Sequence, residues 1–229
     1  EQAYARCQSE ALSAFGNAAL YIEQLVTHAR HIEVQIIGDH SGQLSHLWER
    51  DCSLQRRQQK LVEIAPSPDL PGATRDALIS AALKLAAQSA YQGIGTFEFL
   101  LDLDRPDCFY FMEANPRIQV EHTVTEAVTG VDLVHTQLWL SAGRTLAELG
   151  LTTPPAVNGC AIQLRINLES QHADGSIRPA AGILSAYEPP SGPGLRVDGY
   201  GYAGYPVSPS YDSLLAKLIA HGHSYSAAL

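Results

Sequence analysis

The 229-residue sequence has little cysteine and little positive charge, and each shortage excludes a class of protein. Its four cysteines lie far apart, with no CxxC pair and no Cys/His cluster at zinc spacing, which favours free thiols in a reducing compartment. Fifteen Lys and Arg against 24 Asp and Glu give a formal charge of -9. Because binding along a duplex needs a broad basic surface, this charge argues against a nucleic-acid partner. We expect any anion site to be local.

Long apolar runs are also missing. No segment approaches the roughly 20 apolar residues that cross a bilayer, and the first ten residues lack the basic-then-apolar order of a signal peptide. These absences predict a cytoplasmic chain with no membrane partner. The first residue is not Met and the last residues resemble the start of a helix, so both ends look cut.

The spacing of apolar residues predicts an α+β fold. Helical spacing indicates helices over 3–15, 73–89, 124–129 and 133–142, and alternation indicates strands over 19–26, 31–37, 43–48, 95–103 and 108–114. A linker at 151–158 precedes a β-rich part with strands over 160–168, 182–187, 195–198 and 213–220. We therefore expect an antiparallel sheet with helices over 1–150, followed by a β-rich unit over 159–229.

Two glutamates stand inside otherwise apolar strands of one predicted hairpin. If the hairpin is symmetric about Arg105 and Pro106, Glu98 and Glu113 face each other, and a shift of the register by two residues keeps them on one face. Facing like charges are destabilising, so either one is protonated or a cation lies between them. Mg²⁺ prefers oxygen ligands, and Asn115 on the same face offers another oxygen. The alternative is that both glutamates lie on a solvated sheet face.

The loop after this hairpin carries further chemical groups. Arg117 can hold a small planar oxyanion bidentately, and Glu121 is placed to accept a proton. The alternative is an ion pair between Arg117 and Glu121 that caps the following helix. Spacing alone decides neither question.

Five strings of this sequence together closely resemble the biotin carboxylase family of ATP-grasp enzymes. They are RHIEVQ (30–35), ERDCSLQRRQQK (49–60), GTFEFL (95–100), FMEANPRIQVEHTVTE (111–126) and RIN (165–167). The resemblance runs nearly end to end. It implies part of an ATP-grasp domain over 1–150 and a truncated biotin carboxylase C-terminal domain over 159–229. It further implies ATP-driven activation of bicarbonate through carboxyphosphate, and then carboxylation of a protein-linked biotin.

The resemblance also implies roles for thirteen residues. Matched position by position, the Mg²⁺ (or Mn²⁺) ligands are Glu98, Glu113 and Asn115, and the bicarbonate loop is Arg117, Gln119 and Val120. Glu121 matches the general base, Arg165 the arginine that stabilises the biotin enolate, and Lys60 a lysine near bicarbonate and the phosphates. The ATP-contacting positions are Glu23, Leu25, His31 and Gln55.

The sequence departs from the family pattern in several places. Gln58 and Gln24 stand where many members have histidine and lysine, which puts their nucleotide contacts in doubt because an amide supplies no charge. The N-terminal domain and the glycine-rich lid of the family have no counterpart in these residues. We therefore expect little or no activity from the 229 residues alone.

The resemblance implies partners as well. The only methionine, Met112, is not in a Met-Lys-Met turn, so biotin must come from a separate carrier domain. A carboxyltransferase domain or subunit would use the carboxybiotin, and the full-length protein would form a homodimer. Two rivals remain open: another bicarbonate-activating ATP-grasp ligase similar to carbamoyl-phosphate synthetase, and a non-catalytic interaction module.

Overall fold

The computed structural model describes residues 2–105, 107–172 and 176–229. Its dominant element is an eight-stranded sheet in which every neighbouring pair of strands is antiparallel. The strands of this sheet are β1 (Ala29–Gly38), β2 (Leu44–Arg56), β3 (Gln59–Ala65), β4 (Gly93–Asp102), β5 (Phe109–Asn115), β6 (Cys160–Asn167), β10 (Leu195–Gly199) and β12 (Leu214–Gly222). Across the sheet their order is β10-β12-β6-β3-β2-β1-β4-β5.

Helices and short strands complete the fold. The helices are α1 (Gln2–Phe15), α2 (Gly72–Gln88), α3 (His122–Thr129), α4 (Leu133–Ser141) and α5 (Tyr225–Ala228). Two small sheets pair β7 (Glu169–Gln171) with β8 (Ile177–Pro179) and β9 (Gly182–Ile183) with β11 (Pro206–Val207). Among the described residues, no helix is long and apolar enough to cross a membrane. The predicted α+β fold with an antiparallel sheet is confirmed.

Strand β1 has one apolar and one polar face, as its alternation predicts. Ile32, Val34 and Ile36 pack against helix α2 in the largest core cluster, which also takes side chains from β4. His31, Glu33 and Gln35 lie on the opposite face and are buried with polar partners. One face of the sheet therefore forms the core, and the other carries a row of buried polar groups.

Two predicted strands differ from the structure. Residues 19–26 form no strand, and Tyr21 and Ile22 are exposed. Apolar alternation alone is insufficient there, because a strand also needs a neighbour for its backbone groups and none of the described strands pairs with this segment. The strand predicted over 182–187 is limited to the two residues of β9.

The sheet continues across the linker at 151–158. Strand β3 pairs with β6, with Val62 opposite Leu164 and Glu63 opposite Gln163. Side chains from both sides of the linker therefore share one polar face. The division into units 1–150 and 159–229 stays a prediction.

Candidate active site

All thirteen residues that sequence reasoning selected line one open cleft. The cleft has a volume of about 1000 Å³ and lies on the polar face of the sheet. Its lining includes Glu23, Leu25, His31, Gln55, Lys60, Glu98, Glu113, Asn115, Arg117, Gln119, Val120, Glu121 and Arg165. Glu23 and Arg165 are 142 positions apart in the sequence, so the fold brings distant segments together in this cleft.

The two hairpin glutamates face each other across β4 and β5. Glu98 is the register partner of Glu113, with a bulge directly after Glu98. The Asn115 side-chain amide lies between them: Nδ2 donates to Glu98 Oε1 at 2.7 Å and to Glu113 Oε1 at 2.9 Å. The predicted juxtaposition is confirmed. The solvated-face alternative holds for Glu113, which is exposed, and fails for Glu98, which is buried.

Glu98 is held ionised in spite of its burial. Burial raises the pKa of this carboxyl, but the hydrogen bond with His31 and the positive charge of Lys60 outweigh that effect and lower the pKa to about 2. His31 Nε2 lies 2.5 Å from Glu98 Oε2, and Gln119 Nε2 donates to Glu98 Oε1 at 2.8 Å. The Glu98 side chain is therefore an ionised carboxylate at neutral pH.

Lys60 occupies the centre of the buried charges. Its Nζ lies 2.6 Å from Glu33 Oε2, 2.7 Å from Glu121 Oε1 and 3.3 Å from Glu98 Oε1. Burial lowers the pKa of Lys60, but Glu33 and the other neighbouring acidic groups outweigh burial and raise the pKa above its usual range. Lys60 therefore remains a cation that three carboxylates share.

Arg50 and Glu33 form a fully buried ion pair behind Lys60. Arg50 Nε donates to Glu33 Oε1 at 2.5 Å, and the guanidinium also donates to Gln35, Thr96, Gln119 and Thr125. Burial raises the pKa of Glu33, but the positive charges of Arg50 and Lys60 outweigh burial and lower the pKa below its usual value. This pair contacts two residues that line the cleft: Glu33 accepts from Lys60, and Arg50 donates to Gln119.

Glu121 is held between two cations from different strands. Arg165 Nη2 donates to Glu121 Oε2 at 3.0 Å, while Arg165 Nε donates to Glu63 Oε1 at 2.6 Å. Arg117 instead is exposed, and its Nη1 donates to Ile118 O at 3.2 Å. The alternative of an ion pair between Arg117 and Glu121 is therefore wrong. Arg117 is one of the residues that line the open cleft.

The positions that match ATP contacts also line the cleft. Leu25 is 81% exposed there, so its apolar surface is free to contact a flat apolar ring. Gln55 Nε2 lies 2.9 Å from His31 Nδ1, and the imidazole ring of His31 connects Gln55 to Glu98. Gln58 lies in the turn between β2 and β3 with a positive φ of 63° and also lines the cleft.

The donor set between the hairpin glutamates suits a hard divalent cation. Two carboxylates, one of them with a strongly lowered pKa, flank a single polar atom of Asn115. Rotation of the Asn115 amide by 180° would present Oδ1 in place of Nδ2, which gives three oxygens around one point. Oxygen ligands of this kind fit Mg²⁺ or Mn²⁺.

Sequence reasoning did not assign three central residues: Glu33, Arg50 and Glu63. Each is buried with no measurable exposure. A signal was available for each, because Glu33 lies between His31 and Gln35 on the polar face, Arg50 begins the most basic segment, and Glu63 interrupts an apolar strand. The sequence does not predict the partners of these residues, because sheet pairing between distant segments brings each residue to its partner.

Comparison with known proteins places these features in a family. The pattern of the carbamoyl-phosphate synthase L chain ATP-binding domain matches residues 1–149, and that of the biotin carboxylase C-terminal domain matches residues 163–229. Biotin carboxylase from Nostoc sp. is 51% identical over 223 residues, which are 97% of this chain and 48% of the relative. Rat mitochondrial pyruvate carboxylase is 49% identical over 230 aligned positions, which cover 100% of this chain and 19% of the relative.

A solved structure agrees with both matches. It is the biotin carboxylase domain dimer of Hydrogenobacter thermophilus 2-oxoglutarate carboxylase in complex with MgADP, ADP and bicarbonate, with a TM-score of 0.90 and 41% identity. The match covers 99% of this chain and 49% of the other. The chain belongs to the biotin carboxylase family of ATP-grasp proteins. It spans from about a fifth to about half of the length of these relatives.

Proposed function

We propose that the cleft is the bicarbonate-activating part of a biotin carboxylase active site. The observation that carries this proposal is the arrangement of Glu98, Glu113 and Asn115 beside Lys60 and Glu121. The oxygens of the first three residues form a site for a divalent metal ion. Next to this site lies the Glu121 carboxylate, which contacts positively charged side chains. The reaction that needs this combination transfers the γ-phosphoryl group of ATP to bicarbonate and then carboxylates N1 of a protein-linked biotin.

In this proposal the loop after β5 binds and activates bicarbonate. Arg117, Gln119 and Val120 hold the planar anion, with the Arg117 guanidinium as the bidentate donor. The Glu121 carboxylate accepts the proton of the bicarbonate hydroxyl, and the resulting oxyanion attacks the γ-phosphorus of ATP. The products are carboxyphosphate and ADP, so the atoms and charges balance.

The remaining residues bind the nucleotide and the biotin. Glu98, Glu113 and Asn115 would hold Mg²⁺ or Mn²⁺, which neutralises phosphate charge when bound. Lys60 lies where a phosphate or carboxyphosphate oxygen would meet a cation. Carboxyphosphate breaks down to CO₂ and phosphate, the phosphate accepts the N1 proton of biotin, and N1 then bonds to CO₂. Arg165 stabilises the negative charge on the deprotonated biotin. The ATP contacts are Glu23, Leu25, His31 and Gln55.

The biotin itself comes from a separate carrier domain, and a carboxyltransferase domain or subunit consumes the carboxybiotin. A homodimer of the full-length protein is a further proposal, supported by the domain dimer of the Hydrogenobacter relative. Location stays a prediction from sequence, because the curated relatives include a mitochondrial enzyme.

The test is bicarbonate-dependent ATP cleavage, stimulated by free biotin, in the protein at its full natural length. Glu121→Gln removes the proton acceptor with little change of shape, so we expect the rate to fall by roughly 10²- to 10⁴-fold. The matched control is Glu10→Gln on exposed α1, which should leave the rate unchanged. Equal rates for Glu121→Gln and the unmodified protein would contradict the assignment of the base.

The same assay separates the two rivals. Bicarbonate-dependent ATP cleavage that biotin does not stimulate and that yields carbamoyl phosphate with ammonia would favour the synthetase-like ligase. Absence of MgATP binding by calorimetry in the full-length protein would favour a non-catalytic module. The second family match, over residues 163–229, supports the carboxylase instead.

A further inference from the structure

Three charged residues form one row across the strands next to the cleft. On β12, Lys217 is the register partner of Asp198 on β10 and of Arg165 on β6. Register partners in an antiparallel pair point to the same face of the sheet. Lys217 therefore lies beside Arg165, the residue that holds the Glu121 carboxylate.

The pairing of Lys217 with Arg165 costs stability, because like charges directly opposite each other on a sheet repel. Neutralising Asp198 does not require Lys217. The Arg196 guanidinium already donates to Asp198 through Nε and Nη2, both at 2.8 Å. Lys217 Nζ lies farther away, 3.5 Å from Asp198 Oδ2. The closer contact of Lys217 is elsewhere.

That contact is with the loop of the cleft. Lys217 Nζ donates to the backbone carbonyl of Val120 at 3.0 Å, across 97 residues of sequence, and the Lys217 side chain is only 11% exposed. The neighbouring carbonyls take backbone donors: His122 N donates to Gln119 O and Val124 N donates to Glu121 O. Lys217 supplies the donor for the carbonyl between them.

The contact sets the orientation of Glu121. The Val120 carbonyl and the Glu121 N–H belong to one planar peptide unit, so fixing the oxygen also fixes the direction of that N–H and the start of the Glu121 side chain. Arg165 holds the far end of the same side chain at 3.0 Å. Lys217 therefore fixes the backbone at Glu121, and Arg165 binds the carboxylate of the same residue.

We propose that Lys217 is a positioning residue for bicarbonate activation, because it fixes the Val120 peptide and thereby aims Glu121 at the bound anion. This inference rests on the proposed function of Glu121. Asp198 Oδ2, 3.5 Å from Lys217 Nζ, offsets part of the repulsion between Lys217 and Arg165. Lys217 acts through the loop and does not touch the substrate.

The test compares three variants of the full-length protein in the ATP cleavage assay. Lys217→Met keeps the length of the side chain and removes the donor. We expect kcat/KM for bicarbonate to fall about tenfold, the value of one charge-assisted hydrogen bond, while KM for MgATP changes less than twofold. Lys217→Arg retains a donor and should restore most of the loss. Lys84→Met on the exposed face of α2 is the matched control.

Amide spectra of the same variants test the positioning without relying on activity. In ¹⁵N-¹H correlation spectra, Lys217→Met should shift the amides of residues 117–122 and leave those of α2 unchanged. An equal fall of all kinetic constants together with the melting temperature would overturn the inference, because a merely structural residue behaves in this way. Unshifted loop amides would also overturn it. Absence of bicarbonate-dependent cleavage in the unmodified protein would instead overturn the proposed function, and the spectra would still decide the role of Lys217.

Discussion

At the scale of single residues, the cleft depends on a close balance of buried charges. Glu33, Glu63, Glu98 and Glu121 are buried carboxylates, and each contacts Arg50, Lys60 or Arg165. An isolated buried charge costs several kcal/mol, so these groups are tolerated only as a connected set. Removal of one member therefore affects the rest.

Arg50 tests this balance most sharply. Arg50→Met leaves the Glu33 carboxylate buried with Lys60 as its one remaining ion-pair partner among the described residues, and we predict a loss of about 3–5 kcal/mol in the free energy of unfolding, measured by urea denaturation. Adding Glu33→Gln to Arg50→Met should recover part of the loss, because the double variant removes both charges.

The matched control for Arg50 is Arg144→Met, which removes an exposed cation paired with Glu148 on the same short segment. Exposed pairs of this kind contribute little, so its unfolding midpoint should hardly move. If Arg50→Met and Arg144→Met had equal effects, the buried network would not support the fold as described.

At the scale of elements, β1 shows how much the sequence predicts. Its alternation correctly separates the apolar face from the polar face, and the symmetry of the β4–β5 hairpin correctly places Glu98 opposite Glu113. Both are local patterns of period two. The strand predicted at 19–26 is wrong because its local pattern is satisfactory but no strand pairs with it.

The far end of β1 connects to a loop that is distant in sequence. Asp39 Oδ1 accepts from the backbone of Ser41 and Gln43, and Oδ2 accepts from Leu146 N at 2.7 Å. Burial raises the pKa of Asp39, but the hydrogen bonds from Ser41, Leu146 and Gln43 outweigh it and lower the pKa below 3.8. A lowered carboxylate pKa stabilises the fold above the unfolded pKa, and this stabilisation is lost as the pH falls through the folded pKa.

Asp39→Asn should therefore destabilise the protein in a pH-dependent way. In this variant the side-chain NH₂ group would face one of the backbone N–H donors. We therefore predict a loss of about 1–3 kcal/mol in the free energy of unfolding at pH 7. The difference in unfolding free energy from the unmodified protein should narrow as the pH falls from about 4, where unfolded Asp binds a proton, through the lower folded pKa of Asp39. Urea denaturation at several pH values measures it, with exposed Asp76→Asn as control. A gap that is constant with pH would contradict the role of the ionised carboxylate.

At the scale of the whole molecule, one sheet joins the segments on both sides of the linker at 151–158. β3 pairs with β6, and Gln163 and Arg165 both donate to Glu63. The sequence predicts each strand here but not this pairing, because nothing local in either strand specifies a partner about 100 residues away. The pairing brings Arg165 within hydrogen-bond distance of Glu63.

This continuity predicts shared stability. The amides of β3 and β6 should show the same opening free energy in native-state hydrogen exchange, because neither strand can leave the sheet without exposing the Glu63 carboxylate and its partners. Rapid exchange of β6 with β3 still protected would show instead that the part after the linker opens by itself.

The facing carboxylates of β4 and β5 are expected to share one divalent ion. Mn²⁺ binding followed by electron paramagnetic resonance, with ATP present, measures this directly in the full-length protein. We predict one tight site that Glu98→Gln or Glu113→Gln weakens at least tenfold and that Glu10→Gln leaves intact. Mn²⁺ affinity that does not change when both Glu98 and Glu113 are replaced would contradict the account.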